Sequence, residues 1–283
     1  MAGPGGYSAV GERTWRSRIG LWLSVFVLVS PAILIFLWML SLSLKNELDN
    51  TAYPPVFIPS PPTLMNYIET FEKNRILLYF WNSILVTGGA VIVGLLVGVP
   101  AGYGIARSRA AKSAVVILIA RMTPALSYLI PLFLLFQILG LVGTITGLLI
   151  THLVITVPII VWVMIGYFDN VPRELEDAAF VDGASPWQGF ALIALPLARP
   201  GVVVGAILAF IFSWNNFIFS VVLAGKNTRT LPSAVYNMLT FEQLSWGPLA
   251  AAALLVTLPV LLVTVIAQRE IVAGLSSGGL KDG

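Results

Sequence analysis

The chain has 283 residues, of which 58% are hydrophobic and only 10% are charged, and its mean hydropathy is +0.91. Soluble domains carry about 25% charged residues, so the composition indicates a membrane protein with little chain left for a soluble domain. The net charge of +3 says little by itself, and no nucleic-acid partner is predicted. The chain has no cysteine, which excludes a disulfide, a thiolate metal site and lipid attachment to cysteine.

Long apolar runs recur along the chain and predict an all-α membrane protein, because backbone groups in hydrocarbon need internal hydrogen-bond partners. We predict six spans, each long enough to cross a core of about 30 Å at about 1.5 Å per residue. Their bounds are Ile19 to Leu44, Tyr79 to Ala106, Ala114 to Leu139, Ile145 to Phe168, Gly201 to Ala224 and Pro248 to Ala267. The transmembrane domain is placed at 19–270, with a loop at 170–200, an N-terminal segment at 1–18 and a C-terminal tail at 271–283.

The distribution of lysine and arginine predicts the orientation. With six spans both termini lie on one side, and that side carries ten of these residues against five on the other. The ten are Arg13, Arg16, Arg18, Arg107, Arg109, Lys112, Arg173, Arg199, Arg269 and Lys281, and the five are Lys45, Lys73, Arg75, Lys226 and Arg229. Because cytoplasmic loops carry the excess of positive charge, both termini and the loop 170–200 are predicted to be cytoplasmic.

The first span and the segment after it come next in the chain. The span has about 25 apolar residues, too many for the core of a cleaved signal peptide, so we predict an uncleaved anchor. Five prolines between Pro54 and Pro62 then predict an extended stretch, followed by a short amphipathic helix from Leu64 to Phe71. This outer segment is either a surface linker or a docking surface for an external protein.

The second span contains two overlapping GxxxG steps, formed by Gly94, Gly98 and Gly102. This pattern lets another helix approach closely and is typical of helix packing in membranes. At the inner end of the same span, Arg107, Arg109 and Lys112 are interpreted as topological anchors.

In the third span Arg121 is followed by Pro124 and Pro131. The two prolines free backbone carbonyls and predict kinks. Arg121 either extends to the cytoplasmic headgroups or faces a polar cavity or a neighbouring subunit.

Several kinds of chemistry have no signature in the sequence. No predicted span has Asp or Glu in its interior, which disfavours a proton-driven carrier and leaves sodium coupling open. The motifs G-x-x-x-x-G-K-[ST] and H-E-x-x-H do not occur, so nothing indicates a nucleotide site of that kind or a zinc-dependent membrane enzyme. His152 is the only histidine and lies apart from carboxylates, so it is predicted to be a packing residue and not a metal ligand.

Trp214, Asn215 and Asn216 place an indole and two amides at membrane depth near the outer end of the fifth span. An interfacial aromatic belt with amide hydrogen bonds between helices is one interpretation. A polar translocation path is the other, and Arg121 is a further candidate for lining it.

The loop 170–200 concentrates acidic residues in a chain that has few. Asn170 can cap a helix whose first turn includes Pro172 and Glu174. Asp182–Gly183 predicts the end of that helix, because glycine readily takes the left-handed conformation. Ser185–Pro186 then predicts the start of a second short helix.

Leu195–Pro196 predicts the turn of this second helix back to the membrane. Between the two helices the glycine forms a corner, and small apolar residues make a ridge on the first helix: Leu175, Ala178, Ala179 and Val181. Acids beside such a ridge can pair with basic groups on another protein. We therefore favour a cytoplasmic protein partner over a merely solvated loop.

This loop resembles the EAA loop of ATP-binding-cassette importer permeases, whose pattern is E-A-A, three residues, G, nine residues and I-x-L-P. The residues that match in register are Ala178, Ala179, Gly183, Ile193, Leu195 and Pro196. Asp177 stands at the glutamate position, directly after Glu176. The resemblance covers nearly the whole chain and is closest to the maltose-type second permease of the carbohydrate-uptake branch. Other matching segments are RMTPALSYLIPLF, RTLPSAV, the tail QREIVAGLSSGGLKDG and SWNNF, where Asn216 replaces the acid of the family's WNEF.

The resemblance implies a non-catalytic permease of the type I importer fold in the bacterial inner membrane. It implies a second homologous permease, two copies of a cytoplasmic ATPase and an extracytoplasmic sugar-binding protein as partners. ATP and Mg are expected on the ATPase subunits, with no cofactor in this chain. The residues implied in ATPase coupling are Glu174, Glu176, Asp177, Ala178, Ala179, Asp182, Gly183, Ile193, Leu195 and Pro196, and the tail from Gly274 to Gly279 is a further candidate contact.

Two other classes remain as alternatives. A stand-alone facilitator or sodium-coupled secondary carrier predicts a repeat between the two halves and transport without ATP, and no convincing internal repeat is seen. A structural membrane scaffold is the third class. Copurification with an ATPase subunit would separate the importer from both.

Overall fold

The computed structural model describes residues 15–239 and 245–278, and these residues form α-helices joined by turns and short loops. The helices are α1 (Trp15–Ser43), α2 (Glu47–Asn50), α3 (Met65–Asn74), α4 (Ile76–Ser108), α5 (Ala111–Met122), α6 (Ala125–Ile138), α7 (Ile145–Asp169), α8 (Glu174–Val181), α9 (Pro186–Gln188), α10 (Leu195–Leu197), α11 (Arg199–Trp214), α12 (Ile218–Leu223), α13 (Leu231–Asn237) and α14 (Trp246–Gly278). A π-helical turn, Gly189–Ala194, joins α9 to α10. The predicted all-α fold is confirmed, and most of the predicted N-terminal segment and the end of the predicted tail lie outside the described residues.

Four of these helices are long and apolar enough to cross a membrane on their own, namely α1, α4, α7 and α14. Two further crossings would each combine a bent pair of helices. The pair α5 and α6 meets at 88°, and the helical stretch Pro186–Leu197 meets α11 at 75°. The described residues therefore hold four spans, or the predicted six if each bent pair crosses as one span.

The predicted third span is divided at Pro124. Thr123 has extended backbone with ψ of 121°, as expected for a residue that precedes proline, and proline has no N–H to continue the helical ladder. The kink predicted at Pro124 is thus a complete break of 88°. Pro131, in contrast, lies inside α6, and the helix continues through it. Arg121 is exposed in the last turn of α5.

The predicted fifth span, Gly201 to Ala224, is not one helix, since α11 and α12 are separated by a short break. At the break Asn215 Nδ2 donates a hydrogen bond to Ile211 O at 2.9 Å, and Asn216 Oδ1 accepts one from Phe219 N at 3.3 Å. Each amide thus satisfies a backbone group at a helix end. Asparagine favours such local bonds over a continuous helix, and for this reason the predicted span is divided into two helices.

Helix α4 packs against α7 along its row of glycines, which confirms the packing role predicted for the GxxxG steps. A Cβ atom added to Gly98 would lie 2.9 Å from Ile160 Cγ2, and one added to Gly102 would lie 2.7 Å from Met164 Cβ. Real Cβ atoms do not approach other atoms so closely, so the two backbones can meet only because these positions are glycine.

We expect Gly98→Leu to separate α4 from α7 and destabilise the protein, because overpacking costs about 1–3 kcal/mol even where neighbours can shift. The measurement is the yield and thermal stability of the monodisperse protein in detergent. Gly88→Leu is the matched control, since no atom lies within 4 Å of a Cβ at that position of the same helix. Equal stability of the two variants would contradict the packing described here.

The proline-rich segment after α1 is held against the end of that helix. Ser41 Oγ donates to Phe57 O at 2.5 Å, and Lys45 Nζ donates to Val56 O at 2.6 Å. The Lys45 side chain is buried, while Ile58 farther along is 80% exposed. The segment is therefore fixed to the bundle and is not a free spacer.

Candidate functional site

The loop 170–200 folds as two helical arms that meet at a glycine corner. The first arm is α8, and the second is the continuous helical stretch Pro186–Leu197. Gly183 has a φ of +90°, its N–H donates to Phe180 O at 3.1 Å, and Ala184 N donates to Ala179 O at 2.9 Å. These two bonds form a Schellman motif. The helix end predicted at Asp182–Gly183 is confirmed.

The start of the second arm is also as predicted. Gln188 N donates to Ser185 Oγ at 3.3 Å, and Ser185 N donates to Gln188 Oε1 at 2.7 Å. The two bonds form a reciprocal capping box. They fix the direction in which the second arm leaves the corner.

Two details of the loop differ from the prediction. Asn170 does not cap α8, because its amide donates to Gly166 O at 2.8 Å, back toward α7. Leu195–Pro196 lies inside the second arm, and the bend follows it at Ala198. The π-helical turn before Pro196 shifts the hydrogen-bond ladder, so the missing N–H of proline does not end the arm there.

Glu176 of α8 points into the protein and is only 3% exposed. Its Oε1 accepts hydrogen bonds from Arg107 Nε at 2.8 Å and from Arg107 Nη2 at 2.5 Å. Its Oε2 accepts one from the Tyr103 hydroxyl at 2.5 Å. The expected pairing of this acid with a basic group of another protein is therefore wrong in this structure, because α4 of the same chain supplies both partners.

Arg107 joins the ends of three elements. Besides Glu176 in α8, its guanidinium donates to Phe168 O at 2.8 Å and to Val171 O at 3.3 Å, at and just after the end of α7. Arg173, directly before α8, donates a hydrogen bond to Ala106 O near the end of α4 at 2.9 Å. The Arg107 and Glu176 side chains are 15% and 4% exposed. Removing one partner of so desolvated a pair costs about 3–5 kcal/mol, so these three ends are firmly tied together.

The second arm is attached to the same place by aromatic packing. The Tyr103 ring lies 5.3 Å from the Phe168 ring of α7 and 4.9 Å from the Phe190 ring of the second arm, measured between centroids. Phe190 is buried in the core cluster of this end of the bundle. Both arms of the loop are therefore fixed to α4 and α7.

The other face of α8 is exposed. The side chain of Asp177, which directly follows the buried Glu176, forms no hydrogen bond or ion pair within the described residues. Val181, an apolar residue next to the corner, is 88% exposed. The remaining exposed residues of this face are Glu174, Ala178, Asp182 and Gly183. An acidic rim around small and apolar groups is typical of a protein docking surface.

The candidates for a translocation path lie in different surroundings. Trp214 is 1% exposed, its Nε1 donates to Val256 O of α14 at 3.0 Å, and its ring stacks on Phe210. This burial fits helix packing and leaves Trp214 no surface toward a path. Arg121 and Asn215 are exposed and Asn216 is partly exposed, and a path role for these three stays a prediction.

His152 is a packing residue, as predicted. It is 1% exposed, and its Nδ1 lies 2.7 Å from Ser213 Oγ on α11. Within the described residues no group of three or more His, Cys, Asp and Glu side chains could hold a metal ion. The contact between His152 and Ser213 joins α7 to α11.

Sequence reasoning missed Tyr103 as a residue of this site and gave Arg107 only the role of a topological anchor. Arg107 and Glu176 are 69 positions apart, so no local spacing relates them. The available signal was their opposite charge. Arg107 ends a span on the side of the membrane where the loop is predicted to lie, so it could meet an acid of that loop.

Comparison with known proteins identifies the class to which the chain belongs. Residues 90–275 match the family described as "Binding-protein-dependent transport system inner membrane component". This match covers more than half of the chain and includes both arms of the loop and Arg107. The chain therefore belongs to this family of transport permeases, as its resemblance to the EAA loop predicted.

Individual relatives match over almost their whole length. The trehalose transport system permease protein SugB of Mycobacterium tuberculosis is 35% identical, over 90% of this chain and 94% of that protein. The maltose/maltodextrin transport system permease protein MalG of Vibrio vulnificus is 31% identical, over 95% of this chain and 96% of that protein. The similarity thus includes the segments before residue 90.

Solved structures show the same fold. A chain of a bacterial ABC transporter involved in the import of the acidic polysaccharide alginate superposes with a TM-score of 0.73 at 22% identity, over 94% of this chain and 99% of that chain. A chain of the MetNI methionine ABC transporter superposes with a TM-score of 0.59 at 18% identity, over 70% of this chain. The helical fold is therefore that of importer permeases.

Proposed function

We propose that this protein is the transmembrane permease subunit of an ATP-driven sugar importer, coupled to ATPase subunits through the loop 170–200. One observation carries the coupling role. Neighbouring acids of α8 have opposite surroundings, since Glu176 is bound to α4 while Asp177 is exposed on the docking face. A helix tied to the spans on one side and open to a partner on the other is suited to transmitting movement between them.

A sugar is the proposed cargo because several relatives are named for saccharides. They include the trehalose and maltose/maltodextrin permeases and the diacetylchitobiose uptake permease NgcG of Streptomyces coelicolor. The last is 31% identical over 89% of this chain. The family does not favour the alternative of a stand-alone or sodium-coupled carrier.

The proposed assembly contains a second homologous permease, two copies of a cytoplasmic ATPase and an extracytoplasmic sugar-binding protein. The family description names a binding protein, and one structurally similar transporter forms a complex with a periplasmic protein that carries an alginate pentasaccharide. ATP and Mg belong to the ATPase subunits in this proposal, and the chain itself is non-catalytic. Its surroundings are the lipids of the bacterial inner membrane, with both termini and the loop in the cytoplasm.

The proposed mechanism follows the bonds of the site. The ATPase surface holds the exposed face of α8 through Asp177 and the small residues around it. When the two ATPases close, α8 moves, and the buried bonds from Glu176 to Arg107 and Tyr103 move the ends of α4 and α7 with it. The second arm moves with them through Phe190. The permease pair then changes from inward-facing to outward-facing.

The experiment is to express the full chain with the proteins encoded beside it, purify it and reconstitute it in lipid. We expect the chain to copurify with an ATPase whose activity rises when the loaded binding protein is added, and a screen of sugars then identifies the cargo. Failure to associate with any ATPase, together with ATP-independent uptake by the chain alone, would replace the importer with a carrier.

A further inference from the structure

The end of the bundle opposite to the coupling loop carries a cationic cavity. It lies where α3 meets the start of α4 and where the connection 224–230 meets α13, and its volume is about 290 Å³. The side chains that matter here are Lys73, Arg75, Lys226 and Arg229, together with the amides of Asn74 and Asn237. Of the five Lys and Arg residues predicted on this side of the membrane, only Lys45 lies elsewhere.

The positive charge in this cavity is mostly unpaired. Lys73 has an acid partner, with its Nζ 2.6 Å from Glu69 Oε1. The side chains of Lys226 and Arg229 have neither an ion pair nor a hydrogen bond to any described residue. Residues 224–239 contain no Asp or Glu at all. Like charges collected in one concave site repel each other and attract an anion.

The backbone that carries the cations of this cavity is held in place by hydrogen bonds from buried side chains. Asn82 of α4 is 5% exposed, and its Nδ2 donates at 2.9 Å to both Asn227 O and Arg229 O. The Tyr79 hydroxyl donates to Lys226 O at 3.3 Å. Since α4 holds three carbonyls of the connection, the backbone that carries both unpaired cations is fixed before any ligand arrives. Such preorganisation lowers the cost of binding.

The placement of these cations opposes the usual distribution in membrane proteins. Lysine and arginine are depleted on the outer side of bacterial inner-membrane proteins, and here four of the five predicted outer ones line one cavity. Topology therefore does not account for them. A local ligand of opposite charge would account for them.

We propose that this cavity binds the oxyanion group of a small molecule, a carboxylate, phosphate or sulfonate, with its adjoining hydroxyls on the asparagine amides. The cations supply charge-assisted hydrogen bonds, and amides can both donate to and accept from hydroxyl groups. A volume of about 290 Å³ is just below the range of about 300–1,000 Å³ typical of pockets for drug-sized ligands, which suits one sugar-sized group. An anionic sugar and a phospholipid headgroup both have this chemistry. Binding itself does not depend on the proposed coupling to an ATPase, and only the outer location rests on the proposed function.

The first test measures binding of D-glucuronate, with neutral D-glucose as the matched probe, by calorimetry. It uses the full chain, with any subunits that copurify, in nanodiscs of phosphatidylcholine. We expect glucuronate to bind and glucose not to, with affinity lowered about tenfold by Lys226→Gln or by Arg229→Gln, because each removes a charge-assisted bond. Lys226→Arg keeps the charge and should retain binding. Lys112→Gln, at the other end of the bundle, should bind like the unchanged chain.

A second experiment identifies whether the bound oxyanion belongs to a lipid or to a soluble molecule. The same proteins are placed in nanodiscs that also contain phosphatidylglycerol, and retained lipid is measured by mass spectrometry. Retention that competes with glucuronate and is lost in both glutamine variants assigns the cavity to a lipid headgroup, and binding of glucuronate alone assigns it to a soluble anion.

The proposal is overturned if neither glucuronate nor phosphatidylglycerol binds in a manner sensitive to the two glutamine substitutions. The assay contains no ATP and measures no transport. Its failure would therefore leave the coupling role of the loop untouched, and failure of the coupling experiment would leave this site untouched.

Discussion

Glu176→Gln is expected to uncouple ATP hydrolysis from sugar uptake. The substitution leaves Arg107 with a buried charge and no carboxylate, and breaking such a pair costs about 3–5 kcal/mol. Because the charged bond from α8 to Arg107 is lost and mainly the Arg173 contact with α4 remains, closure of the ATPases would move the loop with much less movement of the spans. We expect uptake in proteoliposomes to fall at least about tenfold, since each 1.4 kcal/mol is a factor of about ten, while the chain stays assembled with its ATPase.

A double-mutant cycle separates this role from a general loss of stability. If the pair acts as one unit, Glu176→Gln combined with Arg107→Gln should lower uptake no more than the worse single variant. Asp169→Asn is the control. Asp169 lies at the end of α7, and its side chain is exposed and forms no bond within the described residues, so this variant should leave uptake unchanged. Additive losses in the cycle, or normal coupling in Glu176→Gln, would show that the buried pair does not transmit movement.

Asp177→Arg is expected to abolish uptake by preventing productive docking of the ATPase. The side chain is exposed and unbonded within the described residues, so its replacement removes no internal contact and the protein should still insert in the membrane. Charge reversal places a cation where the proposed partner presents one, and such juxtaposition costs several kcal/mol at an interface. The measurements are uptake, membrane abundance by immunoblot and the amount of ATPase that copurifies.

Gly183→Pro tests the corner of the same loop. Its φ of +90° is closed to proline, which is confined to about −65°, so the two arms can no longer meet at their present angle and uptake should be lost. Gly183→Asn is the matched control, because asparagine tolerates left-handed backbone better than other non-glycine residues. Normal uptake by both Gly183→Pro and Asp177→Arg would show that the loop does not couple the permease to the ATPase.

The local structure of the loop could be predicted because its signals are local. The glycine corner and the Ser185 cap both act on backbone groups within five positions of themselves. Where the prediction failed, two local interactions competed. Asn170 bonds backward to Gly166 O instead of forward to α8, and Asn215 and Asn216 end one helix and begin another.

The contacts between distant parts of the chain could not be predicted from the sequence. The acid that proved buried and the one that proved exposed are adjacent, and neither composition nor spacing distinguishes Glu176 from Asp177. The distinction depends on Arg107, which is 69 positions from Glu176. The cationic cavity is comparable, because Arg75 and Asn227 lie 152 positions apart and yet are joined by a hydrogen bond of 3.0 Å.

The sequence by itself determined that this protein is a bundle of apolar helices with a capped, two-armed acidic loop. The physical reason is that hydrocarbon leaves the backbone no partner but itself, and that caps and corners are bonds between near neighbours. Only the tertiary structure decided which acid of α8 is buried and which cations converge at the opposite end. Successive residues of a helix point about 100° apart, so the packing of α8 on Arg107 turns Glu176 inward and leaves Asp177 outside.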